Sequence, residues 1–264
     1  FATGGFVSVP AALAAWSRGI PVVIHESNAV PGLANRLLAG FARRVLVCWD
    51  EPGSGRANVG MPFRRGFGLA ARDAARRRLG LETGDRLLLV FGGSRGARPL
   101  NQAMGAVAER LAGVTIFWAT GRDEYSAVRR LWPGEPPPGI RLMPYIENMP
   151  EVMPAADLAI TRAGAMTLAE LAAAGLPAIL VPYPHAAAGH QLANARRYAA
   201  AGAGVVVQDH ELADRLAPEL ARLLADDEAR AAMAGAARAL ARPNAARDIA
   251  DILERESAGG KRES

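Results

Sequence analysis

Two glycine-containing turns have the sequence pattern of phosphate-binding sites. The first, Gly-Gly-Ser-Arg-Gly at residues 92–96, follows the apolar run Arg86–Phe91 and carries the hydroxyl of Ser94. The second, Arg-Ala-Gly at residues 162–164, precedes a helical pattern that begins at Ala165. The first amides of a helix have no intrahelical acceptor, and the helix dipole is positive at that end. Together the two turns predict a site for a diphosphate.

Two polar groups accompany these turns. Glu170 lies about one turn into the second helical pattern, where its carboxylate could accept hydrogen bonds from the paired hydroxyls of a sugar. An acid that only complements the helix dipole is the alternative. The cluster His25-Glu-Ser-Asn28 follows an apolar run at residues 20–24, which predicts a strand, and open α/β sheets bind ligands beyond such strand ends. A diphosphate site in the second part of the chain and a polar site in the first part suggest a transferase whose cleft lies between the two parts.

Other chemistries fit the sequence poorly. His185 and His190 are five residues apart and no Cys accompanies them, so no metal site is expected. The glycines do not match G-x-G-x-x-G, no lysine completes a P-loop, and no G-x-S-x-G elbow occurs. The single cysteine, Cys48, excludes an internal disulfide.

Composition and pattern set the framework that would position these residues. The chain has 264 residues, of which 50% are hydrophobic and 22% charged, which is typical of a globular protein. Strands alternate with helices, which predicts parallel, doubly wound sheets. We expect a first block at residues 1–62, a second at 63–241, a C-terminal helix at 242–257 that packs back on the first block, and a disordered tail at 258–264.

The charge balance bears on partners. The net charge is +5 and nearly all the cations are arginines. This excess is either a compositional habit of the genome or a sign of contact with an anionic lipid surface, nucleotide phosphates or, least well supported, nucleic acid. The sequence shows no signature of nucleic-acid binding and no run long enough to span a membrane.

Six motifs follow one another along the chain: Thr3-Gly-Gly-Phe-Val-Ser, His25-Glu-Ser-Asn-Ala-Val-Pro-Gly32, Val59-Gly-Met-Pro-Phe-Arg64, Gly92-Gly-Ser-Arg-Gly-Ala-Arg98, Arg162-Ala-Gly-Ala-Met-Thr-Leu-Ala-Glu170 and Pro182-Tyr-Pro-His with His190-Gln-Leu-Ala-Asn194. In this order and spacing they resemble glycosyltransferase family 28, and the likeness covers almost the whole chain. The resemblance implies a GT-B fold, with two Rossmann-like domains facing a cleft, an inverting mechanism, and no cofactor or metal.

The activity implied by the resemblance belongs to peptidoglycan synthesis. N-acetylglucosamine would pass from UDP-N-acetylglucosamine to the C4 hydroxyl of the MurNAc of undecaprenyl-linked lipid I, which forms lipid II. The protein would work as a peripheral protein on the cytoplasmic face of the bacterial cell membrane. Trp16, on a short helix beside Arg18, would contact the anionic membrane surface.

The resemblance also implies how the nucleotide of the donor is held. The amide of Ile146 would contact the uracil, and Glu170 would hold the ribose hydroxyls. Ser94 and three helix amides would take the diphosphate, and Arg64 would also lie on the donor. The implied nucleotide ligands are Arg64, Ser94, Ile146, Ala165, Met166, Thr167 and Glu170.

The sugar and acceptor contacts come from two further segments. Gln191, with His190 and Asn194, would reach the hydroxyls of N-acetylglucosamine. Asn28 would contact the sugar or the acceptor from the first block, and Glu26 is a further candidate cleft contact. The catalytic base is not assigned. The family's first glycine loop carries a histidine that is a candidate for this role, and that loop would lie upstream of Phe1, where this sequence starts. On this interpretation the N-terminal domain is incomplete and the chain alone is expected to be inactive.

Three positions depart from the family pattern, and two alternative functions remain open. Ser27 and Arg95 stand where the family usually has Gln, and Met61 where it usually has Asn. One alternative is a UDP-N-acetylglucosamine 2-epimerase, which would need carboxylates around the sugar C2, with Glu26 as the only candidate. The other is a module that binds the nucleotide sugar without turnover.

Overall fold

Two parallel sheets organise the chain. The structure is a computed structural model, and it describes residues 1–49, 53–64, 66–67, 71–82 and 84–259. Within these ranges the first sheet has the order β1-β2-β3 and the second the order β6-β5-β4-β7-β8-β9. The strands are β1 (Val23–Glu26), β2 (Arg44–Val47), β3 (Ala57–Asn58), β4 (Arg86–Phe91), β5 (Val114–Ala119), β6 (Ile140–Met143), β7 (Leu158–Thr161), β8 (Ala178–Leu180) and β9 (Gly204–Val206).

Helices connect the strands, as the alternating pattern predicts. Short 3-10 turns lie at Ala108–Arg110, Met153–Ala155, Ala187–Gly189 and Asp209–Glu211. The α-helices of the described part are α1 (Ser8–Trp16), α2 (Leu33–Leu38), α3 (Arg72–Arg78), α4 (Arg98–Val107), α5 (Tyr125–Arg129), α6 (Met149–Val152), α7 (Ala165–Ala174), α8 (His190–Ala200), α9 (Leu212–Ala225), α10 (Asp227–Leu240) and α11 (Ala245–Gly259).

The first strand differs from the sequence prediction. It runs from Val23 to Glu26 rather than over residues 20–24, so His25 and Glu26 lie within the strand and not after it. Ile20 is exposed, and Pro21 has no N–H to give to a ladder, which explains why pairing starts later. Ala2 pairs with the outer edge of β1: its N–H donates to the Val23 carbonyl at 3.0 Å, and its carbonyl accepts from His25 at 2.8 Å.

The core of the second block lies on both faces of its sheet. Strand β4, at the centre, is buried along Leu87, Leu88, Leu89 and Val90. Alternate residues of the strand point to opposite faces, so Leu87 and Leu89 pack in one apolar cluster and Leu88 and Val90 in another. A strand covered on both sides has a continuous apolar sequence, which is the pattern seen here.

The last helix reaches back to the first sheet. In α11, Ile249 packs with Val23, Leu46 and Val59 of the first block. Glu256 accepts from Arg43 at 3.2 Å and from Arg44 at 2.7 Å. The helix continues to Gly259, two residues beyond the bound expected from the sequence, and the remainder of the predicted tail, 260–264, lies outside the described residues.

No helix in the described part of the chain combines the length and the apolar character needed to cross a lipid bilayer.

Candidate active site

The two predicted phosphate turns lie side by side. Strands β4 and β7 are paired, with Phe91 opposite Thr161, so the turns that follow them leave the same edge of the sheet. Gly164 is the N-cap of α7, and no side chain caps that end; the first intrahelical bond runs from Leu168 N–H to the Gly164 carbonyl at 3.0 Å. The amides of residues 165–167 therefore have no intrahelical acceptor and are available to an anion.

A close approach between two backbones shapes the first glycine turn. Gly96 and Gly121 have φ angles of +95° and +86°, and a Cβ on Gly121 would lie 2.1 Å from the Gly96 nitrogen. The Arg122 N–H donates to the Ser94 carbonyl at 3.0 Å. These contacts hold the turn against the end of β5 and leave the Ser94 side chain exposed. Only glycine fits such an approach, because any Cβ would overlap the neighbouring backbone.

Glu170 is partly buried and has no hydrogen-bond donor among the described residues. Burial raises its pKa from the ordinary 4.5 to about 6, and the positive charge of Arg64 partly opposes that shift. The structure therefore brings Arg64, from the segment joining the two blocks, close to α7. A half-desolvated carboxylate with free acceptor lone pairs is suited to bind hydroxyl groups.

The predicted ligands extend along the carboxyl edge from β6 to β8. Ile146 follows β6; its side chain is buried, and its N–H donates to no described carbonyl. At the other end, α8 begins at His190 after Gly189, which adopts a left-handed φ of 64°. Four interstrand spacings separate β6 from β8, about 19 Å in all. That span suits an extended ligand with a base at one end and a sugar at the other.

The three α8 candidates have different surroundings. His190 is half-buried, and its ring makes no hydrogen bond with a described residue. Gln191 accepts from the Tyr183 N–H at 2.9 Å and keeps its amide NH₂ available. Asn194 departs from the expectation of a sugar contact, because it is fully buried and its carboxamide is occupied by protein partners. Its position on the inner face of α8, against the first block, accounts for that burial.

Glu26 also departs from its predicted role. It is 4% exposed, and its carboxylate accepts from Asn28 N–H at 2.9 Å, from Gly32 N–H at 2.9 Å and from Asn35 Nδ2 at 2.8 Å. A buried charge must be compensated by partners of this kind, so Glu26 organises the loop after β1 instead of facing the cleft. Asn28, which is held by Glu26, remains partly exposed.

His25 contacts the connection between the blocks. Its Nε2 lies 2.9 Å from the Gly60 carbonyl and 3.5 Å from the Cys48 sulfur. Burial lowers the pKa of His25, although the Gly60 bond and the charge of Glu26 oppose the shift. The neutral ring is therefore favoured, and it fixes the connecting segment.

Arg162 is a site residue whose role sequence reasoning missed. Its guanidinium donates to the Val181 carbonyl at 3.1 Å and the Pro182 carbonyl at 3.3 Å, and it forms an ion pair with Asp209. It therefore fastens the turn before α7 to the end of β8. Asp209 lies 47 residues further along the chain, so no local pattern could have indicated the pair.

Trp16 is not brought to this site. It stands more than half exposed at the end of α1, with its ring 5.4 Å from that of Phe41. Other large apolar side chains near it in sequence are exposed as well: Phe6, Val7, Leu13 and Ile20.

Comparison with known families covers both blocks. Residues 87–252 match the model of the glycosyltransferase family 28 C-terminal domain, and residues 1–47 match that of the family's N-terminal domain. These matched ranges contain all the predicted site residues except Arg64.

Individual relatives agree. The chain is 45% identical to a UDP-N-acetylglucosamine–N-acetylmuramyl-(pentapeptide) pyrophosphoryl-undecaprenol N-acetylglucosamine transferase of Moorella thermoacetica, over 95% of this chain and 72% of that protein. It is 40% identical to the protein of the same name from Carboxydothermus hydrogenoformans, over 96% of this chain and 71% of the relative. The crystal structure of Acinetobacter baumannii MurG superposes with a TM-score of 0.82 at 32% identity, covering 96% of this chain and 72% of that one.

These matches confirm the predicted α/β fold of the GT-B type and the resemblance seen in the motifs. Identity is well above the level at which only a fold is shared, and it extends over nearly the whole chain. The chain belongs to glycosyltransferase family 28.

Proposed function

We propose that this protein transfers N-acetylglucosamine from UDP-N-acetylglucosamine to the C4 hydroxyl of MurNAc in undecaprenyl-linked lipid I, with inversion at the anomeric carbon. The names of its relatives support that reaction. The observation that carries the proposal is the uncapped N-terminus of α7 beside the glycine turn of residues 92–96, on paired strands. This is a diphosphate-sized pair of anion sites.

The diphosphate bound there becomes the leaving group. Breaking the bond at the anomeric carbon leaves negative charge on UDP, and fixed donors stabilise that charge best because they need no reorganisation. We assign this role to the amides of Ala165, Met166 and Thr167 and to the Ser94 hydroxyl. Arg64 adds a positive charge near the diphosphate site. The effect of its charge on the pKa of Glu170, in α7, supports that position.

The remaining donor contacts follow the edge of the sheet. The Ile146 amide takes the uracil, and Glu170 takes the ribose hydroxyls as an acceptor. His190 and Gln191 face the sugar from α8, while Asn28 reaches it from the first block. The third α8 candidate, Asn194, is removed from this set because it has no exposed surface.

The blocks take separate tasks in this scheme. We assign residues 1–62 to binding of the acceptor and the membrane, and residues 63–241 to binding of the UDP-sugar. The C-terminal helix, from residue 242, belongs with the first block, because α11 packs on it. The exposed apolar residues around Trp16 are the surface that meets an anionic membrane, at its cytoplasmic face, as a peripheral contact.

The epimerase alternative loses its only candidate. Chemistry at the sugar C2 needs a carboxylate free to exchange a proton, and Glu26 is buried with its oxygens engaged by Asn28, Gly32 and Asn35. No observation favours this alternative over transfer.

One assay separates transfer, epimerisation and simple binding. Purified protein is incubated with UDP-N-acetylglucosamine, with and without a lipid I analogue, and the sugar products are resolved by chromatography. In contrast to the expectation from the motifs that the chain alone is inactive, the proposal predicts UDP release and a disaccharide product only with the acceptor, and a strong loss in Glu170→Ala. Formation of the manno epimer without acceptor, or donor binding with no product, would refute the proposal.

A further inference from the structure

A single carboxamide joins the ligand edges of the two sheets. Asn194, on α8 of the second block, accepts from the Ala29 N–H at 2.7 Å and donates from Nδ2 to Asn28 Oδ1 at 3.1 Å. The same Nδ2 lies 3.4 Å from the Ala163 carbonyl, in the turn before α7. Asn194 is therefore in contact with both the loop after β1 and the turn that leads to the predicted diphosphate site.

The orientation of Asn28 depends on this contact. On one side its Nδ2 donates to Glu26 Oε1 at 3.2 Å; on the other its Oδ1 accepts from Asn194. Turning the amide over would place its oxygen against the Glu26 carboxylate and its NH₂ against the NH₂ of Asn194. Both contacts would become repulsive, so the two neighbours together specify one orientation.

We propose that Asn194 is an interdomain positioning residue: it holds the two blocks together in the absence of ligand and presents Asn28 to the donor sugar in one fixed orientation. The link between the blocks is present without bound ligand, so it can be tested on the ligand-free protein. The consequence for turnover rests on the function proposed above.

The cavity between the blocks supplies a reporter of their separation. It has a volume of about 320 Å³, and residues of both blocks line it, among them Ser27, Cys48, Ala165 and Leu168. Burial raises the pKa of the Cys48 thiol to about 12, with the charge of Glu26 adding to the shift. Cys48 is partly buried, and the thiolate is the reactive form, so Cys48 should react slowly in the present arrangement of the blocks and faster if they separate.

The test variant is Asn194→Asp, which replaces the NH₂ group of the carboxamide by an oxygen and keeps the shape of the side chain. An oxygen still accepts from the Ala29 N–H, as it does in the wild type. The donor to Asn28 Oδ1 is lost, and a carboxylate oxygen faces that acceptor instead. Between the blocks the variant therefore loses the bond to Asn28 and keeps the bond from Ala29, and within the second block it also loses the donor to the Ala163 carbonyl.

The matched control is Asn101→Asp. Asn101 is also buried; it donates to the Thr120 carbonyl at 2.9 Å and accepts from Trp118 at 3.0 Å. These partners all lie within the second block. N101D therefore loses a comparable bond without touching the contact between blocks.

The first measurement is the rate at which an aromatic disulfide reagent modifies Cys48 in the ligand-free, folded protein. We expect N194D to raise that rate about tenfold or more, which corresponds to a fall of about one unit in the thiol pKa. N101D should leave the rate near that of the wild type. Thermal unfolding by circular dichroism verifies that both variants are folded at the assay temperature. An unchanged rate in N194D, or an equal rise in N101D, would overturn the proposal.

The second measurement separates positioning from binding. In N194D we expect the affinity for UDP, which does not involve Asn28, to stay within about twofold of wild type, while kcat falls by roughly 10²-fold, the cost of misplacing a reacting group. Loss of UDP affinity in parallel with kcat would indicate general damage and contradict the positioning role. If the wild type itself shows no transfer, the proposed function fails while the Cys48 result still decides the link between the blocks.

Discussion

Arg64 lies close enough to Glu170 for its positive charge to act on the carboxylate, yet burial outweighs that charge and raises the pKa of Glu170 to about 6. A partly buried acid would ordinarily be expected to find a partner, and the Glu170 carboxylate makes no hydrogen bond with a described residue. The Glu170 carboxylate is therefore available to accept hydrogen bonds from a ligand. Because its pKa is raised, both the stability of the fold and the binding of the ligand should depend on pH.

Stability should fall with rising pH because of Glu170. Its pKa is raised above the ordinary 4.5, so the folded chain holds the proton more tightly than the unfolded chain. The resulting stabilisation is complete below pH 4.5 and is lost as the pH rises through about 6. Glu170→Gln, which stays neutral, should lack this loss. Urea denaturation of both proteins across that range measures the difference, with exposed Glu135→Gln as the control. A constant difference between wild type and E170Q would contradict the assignment.

Donor binding should show the opposite trend. The ionised carboxylate is the better acceptor for ribose hydroxyls, so affinity for UDP-N-acetylglucosamine should weaken as the pH falls through about 6. Glu170→Ala should cost about 1–3 kcal/mol of binding free energy, the range for hydrogen bonds to a charged group. Calorimetry with the 2′-deoxyribose analogue supplies the control, since wild type should lose affinity for it and E170A should not. Equal losses in both proteins would remove Glu170 from the ribose site.

Ala165→Pro tests the amides at the start of α7. Proline is tolerated at the first position of a helix, and Gly164 before it is already extended, at ψ 143°, as a residue preceding proline should be. The substitution removes one N–H donor and should weaken UDP binding by about 1.5–3 kcal/mol. Uridine, which lacks phosphate, should bind as it does to wild type. If both ligands lose affinity equally, the substitution has disturbed the fold and the amide is not a phosphate donor.

Gly121→Ala tests the backbone approach that shapes the glycine turn. The new Cβ would lie 2.1 Å from the Gly96 nitrogen, so the turn of residues 92–96 must move. Gly113→Ala is the matched control, because Gly113 has a similar positive φ of 72° but open space around it. We expect the unfolding free energy of G121A to fall by about 1–3 kcal/mol more than that of G113A. The affinity for UDP should also fall in G121A, because the turn forms part of the proposed diphosphate site. Similar losses in the two variants would show that the close approach does not matter.

Trp16→Ala tests the membrane surface. Trp16 is more than half exposed, and burial of its ring in a lipid interface would contribute to binding in proportion to apolar area. Sedimentation with anionic vesicles should show affinity reduced about fivefold in the variant, and binding of wild type should weaken as salt is raised. Leu131→Ala, which removes an exposed apolar residue of the second block, should have no effect. Equal binding of wild type to neutral and anionic vesicles would contradict the electrostatic part.

Much of the second block could be predicted from the sequence. The run that became β4 is continuous and apolar, glycines mark the two turns, and the helical pattern after the second turn begins where the structure begins α7. These features depend on neighbours within a few positions, which is why local pattern predicts them. It also placed Glu170 about one turn into α7, since an α-helix completes a turn in about 3.6 residues.

Tertiary structure alone decided the partners of the buried polar groups. Glu26 was interpreted as a possible cleft contact and is instead the acceptor that organises its own loop; Asn194 was assigned to the sugar and instead lies against Asn28, 166 residues away. Arg162 and Asp209 gave no sequence signal of their pairing. A buried polar side chain takes whichever partner the packing of distant segments brings within hydrogen-bond reach, and its position in the sequence does not contain that information.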